Sequence, residues 1–313
     1  MPARARITFS APPTFPPFPA WARIRTMPES AGDAGFFVGA ALAAIHPIAR
    51  DEHPLGGLWR QRLALGNAAV LARHGGRTED EAALRDAWYL RRDGDDPGPA
   101  GRILRTWRGL SDRAALRSED WLPSLAASLE LRPDAALETV VQAATRLAKG
   151  EGSAVAAAAE IAAVSMRFRP DSDALALWLA DAVLAHRLKW PAPVPLIASH
   201  IRRGDLRAAA RHIDGDSAWL MACSFAYGAA AAAAADLYAD LVRRAARLLA
   251  AAPKLRGRDA DEMVAILLME DAQPANAGTD ASDRSTRRLF ERLVTLGAVR
   301  ELTGRPTFRL YGL

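Results

Sequence analysis

Cysteine is almost missing from this sequence. Cys223 stands alone in 313 residues, which excludes an intramolecular disulfide and any cysteine-cluster metal site. It falls in an apolar helical run, so a buried, inert thiol is expected rather than a nucleophile. That usage fits a reducing compartment, and a cytoplasmic location is expected. Lysine is nearly as scarce, with Lys149, Lys189 and Lys254 the only ones, so arginine supplies the basic charge. The six histidines (46, 53, 74, 186, 200 and 212) form no pair four residues apart and no His-Glu-x-x-His motif. No metal and no cofactor is expected from them. Gly-x-Ser-x-Gly, Walker and Rossmann signatures are absent too, which removes the common hydrolase, nucleotidase and dinucleotide-binding readings. The start, "MPARARITFSAPPTFPPFPAWARIR", has no uninterrupted apolar core and does not read as a signal peptide. Its prolines predict an extended arm over residues 1–30 whose Phe9, Phe15, Phe18 and Trp21 tuck into a groove.

One long uncharged stretch exists, Ser217 to Ala235. Its seven consecutive alanines are weakly hydrophobic, and Asp236 and Asp240 continue the same helical pattern. A close-packed core helix is therefore expected, and no membrane partner.

Hydrophobic residues make up 50% of the chain, charged residues 25% and aromatics 7%. The excess of Ala, Leu and Arg favours packed helices, and the fold class expected is mainly α. Helical periodicity begins at Gly35 to Ile48 and resumes over Leu58 to Arg73. In "RTEDEAALRDAWYLRR", Thr78 with Glu81 three residues on predicts a capping box and a helix to about Arg92. "DGDDPGPAG" then marks a connector, with Asp96 and Pro97 starting its turn. Two later segments begin with Arg-Pro-Asp, at Arg132 and Arg169. Helix-start chemistry explains both without a repeat. Residues 31–252 are expected to form a helical body.

From residue 253 onward a small module is expected, with "DADEMVAILLMEDA" a helix and "QPANAGTDAS" a loop. In "SDRSTRRLFERLVTL", Ser282 is the expected N-cap and Gly297 the C-terminal stop. Leu289, Phe290, Leu293 and Leu296 share one side of that helix, with Arg284, Arg287, Arg288 and Glu291 opposite. "VRELTGRPTFRLY" predicts two strands around Thr303-Gly304, with Phe308 and Leu310 on one face and Arg309 and Tyr311 on the other. Helices followed by a basic hairpin are the layout of a winged helix, with residues 283–296 as recognition helix and 299–311 as wing.

The net charge of the chain is +5. From Ser282 to Leu313, seven arginines face Asp283, Glu291 and Glu301. Most of the surplus thus lies in a tenth of the length. Guanidinium groups so concentrated suit phosphates and guanine edges. The leading expectation is a DNA-binding or regulatory accessory protein, with double-stranded DNA contacted by Arg284, Arg287 and Arg288 on the helix and by Arg305 and Arg309 on the wing. The second is a scaffold that uses the tail and the alanine-rich helices to bind another protein or itself.

An enzyme ranks third. Its candidate cluster is Arg62, Glu81 and Arg85, extended by Asp86, Asp95, Asp96 and Arg102. Carboxylates beside arginines in a helical groove can bind an anion or polarise a proton acceptor, if a concave pocket lies there. A structural ion-pair network is the competing reading of the same residues.

The pieces "RQRLAL", "TEDEAALRDA", "GDDPGPAGRIL", "LWLADAVLA", "KWPAPVP" and "RRLFERLVTLGAVRELTGRPTFRLYGL" together resemble a bacterial family, the domain of unknown function numbered 1403. The matching pieces run from about Gly35 to Leu313, leaving the proline-rich arm outside. This resemblance brings no activity with it. The tail is also similar to winged-helix tails of Fic-type proteins and some bacterial regulators. A Fic enzyme needs His-Pro-Phe and a Gly-Asn-Gly-Arg loop; "HPLGGLWRQR" (53–62) begins with His-Pro and lacks the rest.

Overall fold

The structure, a computed structural model, describes residues 10–91, 94–111, 121–209, 217–255, 260–275, 283–303 and 308–313, without the side chains of residues 283 and 284. Phe9, Arg92, Ser282 and Arg305 therefore lie outside the described residues, as does the Arg284 side chain.

Among the described residues the chain is helical nearly throughout, with one small sheet at its C-terminal end. The helices are α1 (Ala31–Arg50), α2 (Leu55–His74), α3 (Glu81–Tyr89), α4 (Gly98–Leu110), α5 (Trp121–Ser128), α6 (Ala135–Lys149), α7 (Ala154–Phe168), α8 (Asp173–Arg187), α9 (Arg203–Ala209), α10 (Ser217–Ala251), α11 (Ala260–Met269) and α12 (Asp283–Thr295). Strands β1 (Gln273–Pro274), β2 (Arg300–Glu301) and β3 (Leu310–Gly312) form an antiparallel sheet in the order β1-β3-β2.

Side-chain caps fix several helix starts. Asp134, Ser153 and Ser172 accept from Leu137, Ala156 and Leu175 N–H at the starts of α6, α7 and α8. The two Arg-Pro-Asp segments meet: Arg169 donates to the Arg132 carbonyl at 3.1 Å and pairs with Asp171 at 2.8 Å. They are helix-start turns stacked on each other. At α3 the capping residue differs from expectation. Asp80, not Thr78, accepts from Ala83 N–H at 2.9 Å, while the preceding Glu79 pairs with Arg77. The helix begins at Glu81, whose carboxylate is left for other uses.

Helix α10 is the spine of the fold. Its alanines let neighbours approach its backbone closely: α1 packs along it, and Trp59 of α2 donates its indole N–H to the Ala234 carbonyl at 2.8 Å. Helices α1 and α10 are each long and apolar enough to cross a membrane, yet the apolar window of α10 is 67% buried within the fold. Cys223 is buried in α10, and burial pushes its thiol up. The N-terminal arm runs over α10. Phe15 packs on Tyr238 with ring centroids 5.6 Å apart, Phe18 is buried, and Arg23 holds Asp236 at 2.7 Å. Ile24 fills the space above Gly228, where a Cβ would come within 2.4 Å of its Cδ1. Trp21 departs from expectation: it stays 61% exposed and leans on the exposed Phe36.

A fully buried carboxylate organises the stiff connector after α8. Asp181 accepts from Leu196 N–H at 2.8 Å and from Ile197 N–H at 3.3 Å, beside the Tyr227 phenol. Burial raises its pKa to about 7, against the opposing pull of those hydrogen bonds. In the unfolded chain an aspartate titrates near ~4. Between those two values the folded protein holds one proton more, so stability falls as pH rises from ~4 toward neutrality. The urea midpoint of the wild type minus that of Asp181→Asn is expected to fall as pH rises through this window, because the variant lacks the group. An unchanged slope in the variant would refute the assignment.

The C-terminal segment has the order helix, strand, helix, strand, strand, giving the fold its winged-helix-like end. Strand β1 was not expected; it opens the stretch "QPANAGTDAS" and pairs Gln273 with Tyr311 and Pro274 with Leu310. This makes β3 the central strand, paired along both edges, and its three residues are buried. Tyr311 is accordingly buried rather than sharing an outer face with Arg309, and it stacks on Phe290 at 4.5 Å and 11°. Phe308, placed by the sequence pattern on the same face as buried Leu310, is exposed, with φ +57° just before the strand. The α12 seam is as expected. Phe290 and Leu293 are buried, and Leu289 and Leu296 pack against the core. Gly297, at φ +63°, ends the helix while Ala298 N–H reaches back to the Leu293 carbonyl.

Candidate functional site

Two sites emerge from the residues singled out by sequence: a charged cleft beside α2 and α3, and the outer face of α12.

The cleft rests on a buried ion triad. Arg62 projects from α2 and Arg85 from α3, and both converge on Asp271, just beyond the end of α11. Arg62 Nε contacts Asp271 Oδ1, and Arg85 Nε donates to Asp271 Oδ2 at 2.7 Å. Asp271 is 2% exposed and both arginines are buried. Burial alone would push the Asp271 carboxyl up, but the two guanidinium groups hold it below the usual carboxylate range. Arg62 also donates through Nη2 to the main-chain oxygens of Asp271 at 3.2 Å and Leu313 at 3.0 Å. Gln61 adds a two-way clasp, accepting from Asp271 N–H at 3.0 Å and donating to the Met269 carbonyl at 3.1 Å. Beside them Arg108 joins Glu270 at 3.1 Å and the Tyr89 hydroxyl at 3.0 Å. Residues 269–271 and Leu313 are thus held against α2, α3 and α4.

In front of the triad lies a cleft of about 480 Å³. Its lining includes Arg62 of α2, Glu81 and Arg85 of α3, His200, and Arg300 and Glu301 of β2. Gly66 of α2 lies against the Glu81 carboxylate, at ordinary van der Waals distance from where a Cβ would stand. His200 Nδ1 is engaged with Ser199 Oγ at 2.8 Å, and burial lowers its pKa so that the ring is neutral at physiological pH. Arg300 is pushed down by partial burial and by Arg244, Arg62 and Arg85 nearby, so several guanidinium groups crowd one region.

The rest of the predicted cluster goes elsewhere. Asp96 accepts from Gly98 N–H at 3.1 Å and pairs with Arg102 at 2.7 Å, which starts the α4 turn as its sequence suggested. Arg102 reaches outward to Glu130 at 3.2 Å. Asp86, Asp95, Asp96 and Arg102 do not line the cleft. Sequence reasoning missed Asp271, His200 and Arg300. The one local hint at Asp271 was an acidic pair closing an apolar run, "ILLMEDA". No group of three metal-ligating side chains occurs among the described residues.

On α12, Arg287, Arg288 and Arg292 are exposed, opposite the buried seam. None has an ion pair among the described residues. Arg309 is less free, since Glu301 lies 3.6 Å from it.

A search of curated proteins returns no match. The family model described as "Protein of unknown function (DUF1403)" covers residues 7–313. The resemblance read from the sequence started near Gly35; the match starts earlier and includes most of the proline-rich arm, which the structure shows seated on α10. With nearly the whole length matched, the chain belongs to this family of domain of unknown function 1403.

Proposed function

We propose that this protein binds double-stranded nucleic acid through the outer face of α12. The observation that carries this reading is the pairing of a winged-helix-like strand order with three exposed arginines, Arg287, Arg288 and Arg292, on the helix that such folds lay in a groove. Free guanidinium groups displace counterions from phosphates and form bidentate contacts to guanine. Arg309, exposed just before β3, adds a further cationic side chain, and Arg305 is four residues earlier in the sequence.

Fluorescence anisotropy on a labelled mixed-sequence duplex at low salt tests the reading. Binding is expected, with log affinity falling linearly as log salt rises. The Arg287→Ala/Arg288→Ala double variant is expected to lower the slope by about 2, near one per lost phosphate contact. Both substitutions are on the solvent side, so the circular dichroism spectrum should be unchanged. No binding by the folded wild type, or an unaltered slope in the variant, would overturn the proposal.

A further inference from the structure

The cleft in front of the triad has features of a ligand site that a purely structural ion-pair network does not need. Asp271 has two buried guanidinium partners for one carboxylate, so the triad carries one net positive charge. Arg62 uses Nε on Asp271 and Nη2 on two main-chain oxygens. Arg85 uses Nε on Asp271, and neither of its terminal nitrogens has a hydrogen-bond partner among the described residues. Its side chain is only 9% exposed and lines the cleft. Those nitrogens are not among the sealed, unsatisfied atoms of the fold, so they open onto the cleft. Across the gap Arg300 likewise has no ion pair among the described residues, whereas Glu301 beside it is occupied by Arg309. Glu81 has no partner among the described residues either. With Glu301 counted together with its partner Arg309, the triad, Arg300 and Glu81 leave the region one unit positive. A volume of about 480 Å³ falls within the range of small-molecule sites and is far too small for a macromolecular groove.

We propose that this cleft binds a small oxyanion, a carboxylate or phosphate group, held between the inward edge of Arg85 and the guanidinium of Arg300, with Glu81 and the free Nε2 of His200 placed for a polar substituent on the same molecule. The planar fork of Arg85, preset by its bond to Asp271, suits a two-oxygen acceptor. Because Arg300 belongs to β2 while Glu81 and Arg85 belong to α3, an occupant would bridge the helical body and the sheet.

The site stands or falls independently of nucleic-acid binding. Purified full-length protein is titrated by calorimetry with inorganic phosphate and, separately, with succinate, each against sodium chloride of equal ionic strength. Saturable binding of at least one anion beyond the chloride control is expected, and the preferred one identifies the oxyanion class. Arg300→Gln, on the exposed side, is expected to weaken it about tenfold or more, the loss of a charge-assisted contact. The Arg287→Ala/Arg288→Ala variant is expected to bind the same anion unchanged, which separates this site from the α12 face. Arg85→Lys retains the charge opposite Asp271 but loses the fork, and should weaken binding while the protein stays folded by circular dichroism. If that variant fails to fold, Arg300→Gln alone decides. Absence of saturable binding for both anions, or wild-type affinity in Arg300→Gln, overturns the proposal.

Discussion

Asp271→Ala is expected to destabilise the protein by about 3–5 kcal/mol, the cost of leaving buried charge without its counter-ion. The substitution strands two guanidinium groups that are buried in the native state. It also loosens the clasp on residues 269–271, since the same turn is held by Gln61 and Arg108. The measurement is chemical denaturation, with hydrogen exchange to locate the loss; amides of β1, β3 and α12 should open first. The charge is the cause, so an Arg62→Met/Arg85→Met/Asp271→Leu replacement should recover most of the stability, as buried ion clusters replaced by apolar groups often do. Acid gives a second check with a definite sign. The Asp271 carboxyl titrates below its unfolded value, so its contribution is present at neutral pH and is lost only as pH falls through the depressed folded-state pKa. A loss under ~1 kcal/mol in Asp271→Ala, typical of an exposed pair, would mean that the triad does not hold residues 269–271 in place.

Phe290→Ala is the second large effect, at about 3–5 kcal/mol for removing a buried aromatic ring and leaving a cavity. Phe290 is fully buried and stacked on Tyr311, so the same contact seats α12 and fills one face of the central strand. The expected result is a lower thermal midpoint together with faster exchange across residues 283–303. Phe290→Leu, which restores much of the volume, should cost distinctly less. If both variants match the wild type, the α12 seam is not what fixes this helix. Because the arginines point the opposite way, Phe290→Ala should also weaken any duplex binding without altering a single cationic side chain.

These two sites differ in how far the sequence revealed them. The α12 seam follows from local periodicity: Leu289, Phe290, Leu293 and Leu296 recur at helical spacing, and burial follows from that alone. Arg62, Glu81 and Arg85 were legible as a cluster because α2 and α3 are neighbours along the chain. Their partner was not, for Asp271 is 186 residues beyond Arg85 and nothing local distinguishes a buried aspartate from a surface one. Strand β1 was hidden for a related reason. Two residues, one of them Pro274, have no intrinsic strand signal and are defined only by pairing with β3. At the start of α3, Thr78 and Asp80 are both competent caps by residue type, and only the structure shows that the helix starts at Glu81 with Asp80 accepting from Ala83 N–H.

Helical proteins usually fold fast because their contacts are local, but this one closes its structure over long stretches of chain. Trp59 meets Ala234 across 175 residues, Arg62 meets the Asp271 carbonyl across 209, and Arg23 meets Asp236 across 213. Each such closure must be reached by diffusion of the chain ends before any of the contact energy is returned. Helices α6, α7 and α8, which pack on their sequence neighbours, can assemble early. The arm, which packs on α10, must wait for that helix to be in place. Until then the half-made interior exposes the apolar faces of α1 and α10, the interval in which such a chain is most open to aggregation or to a chaperone.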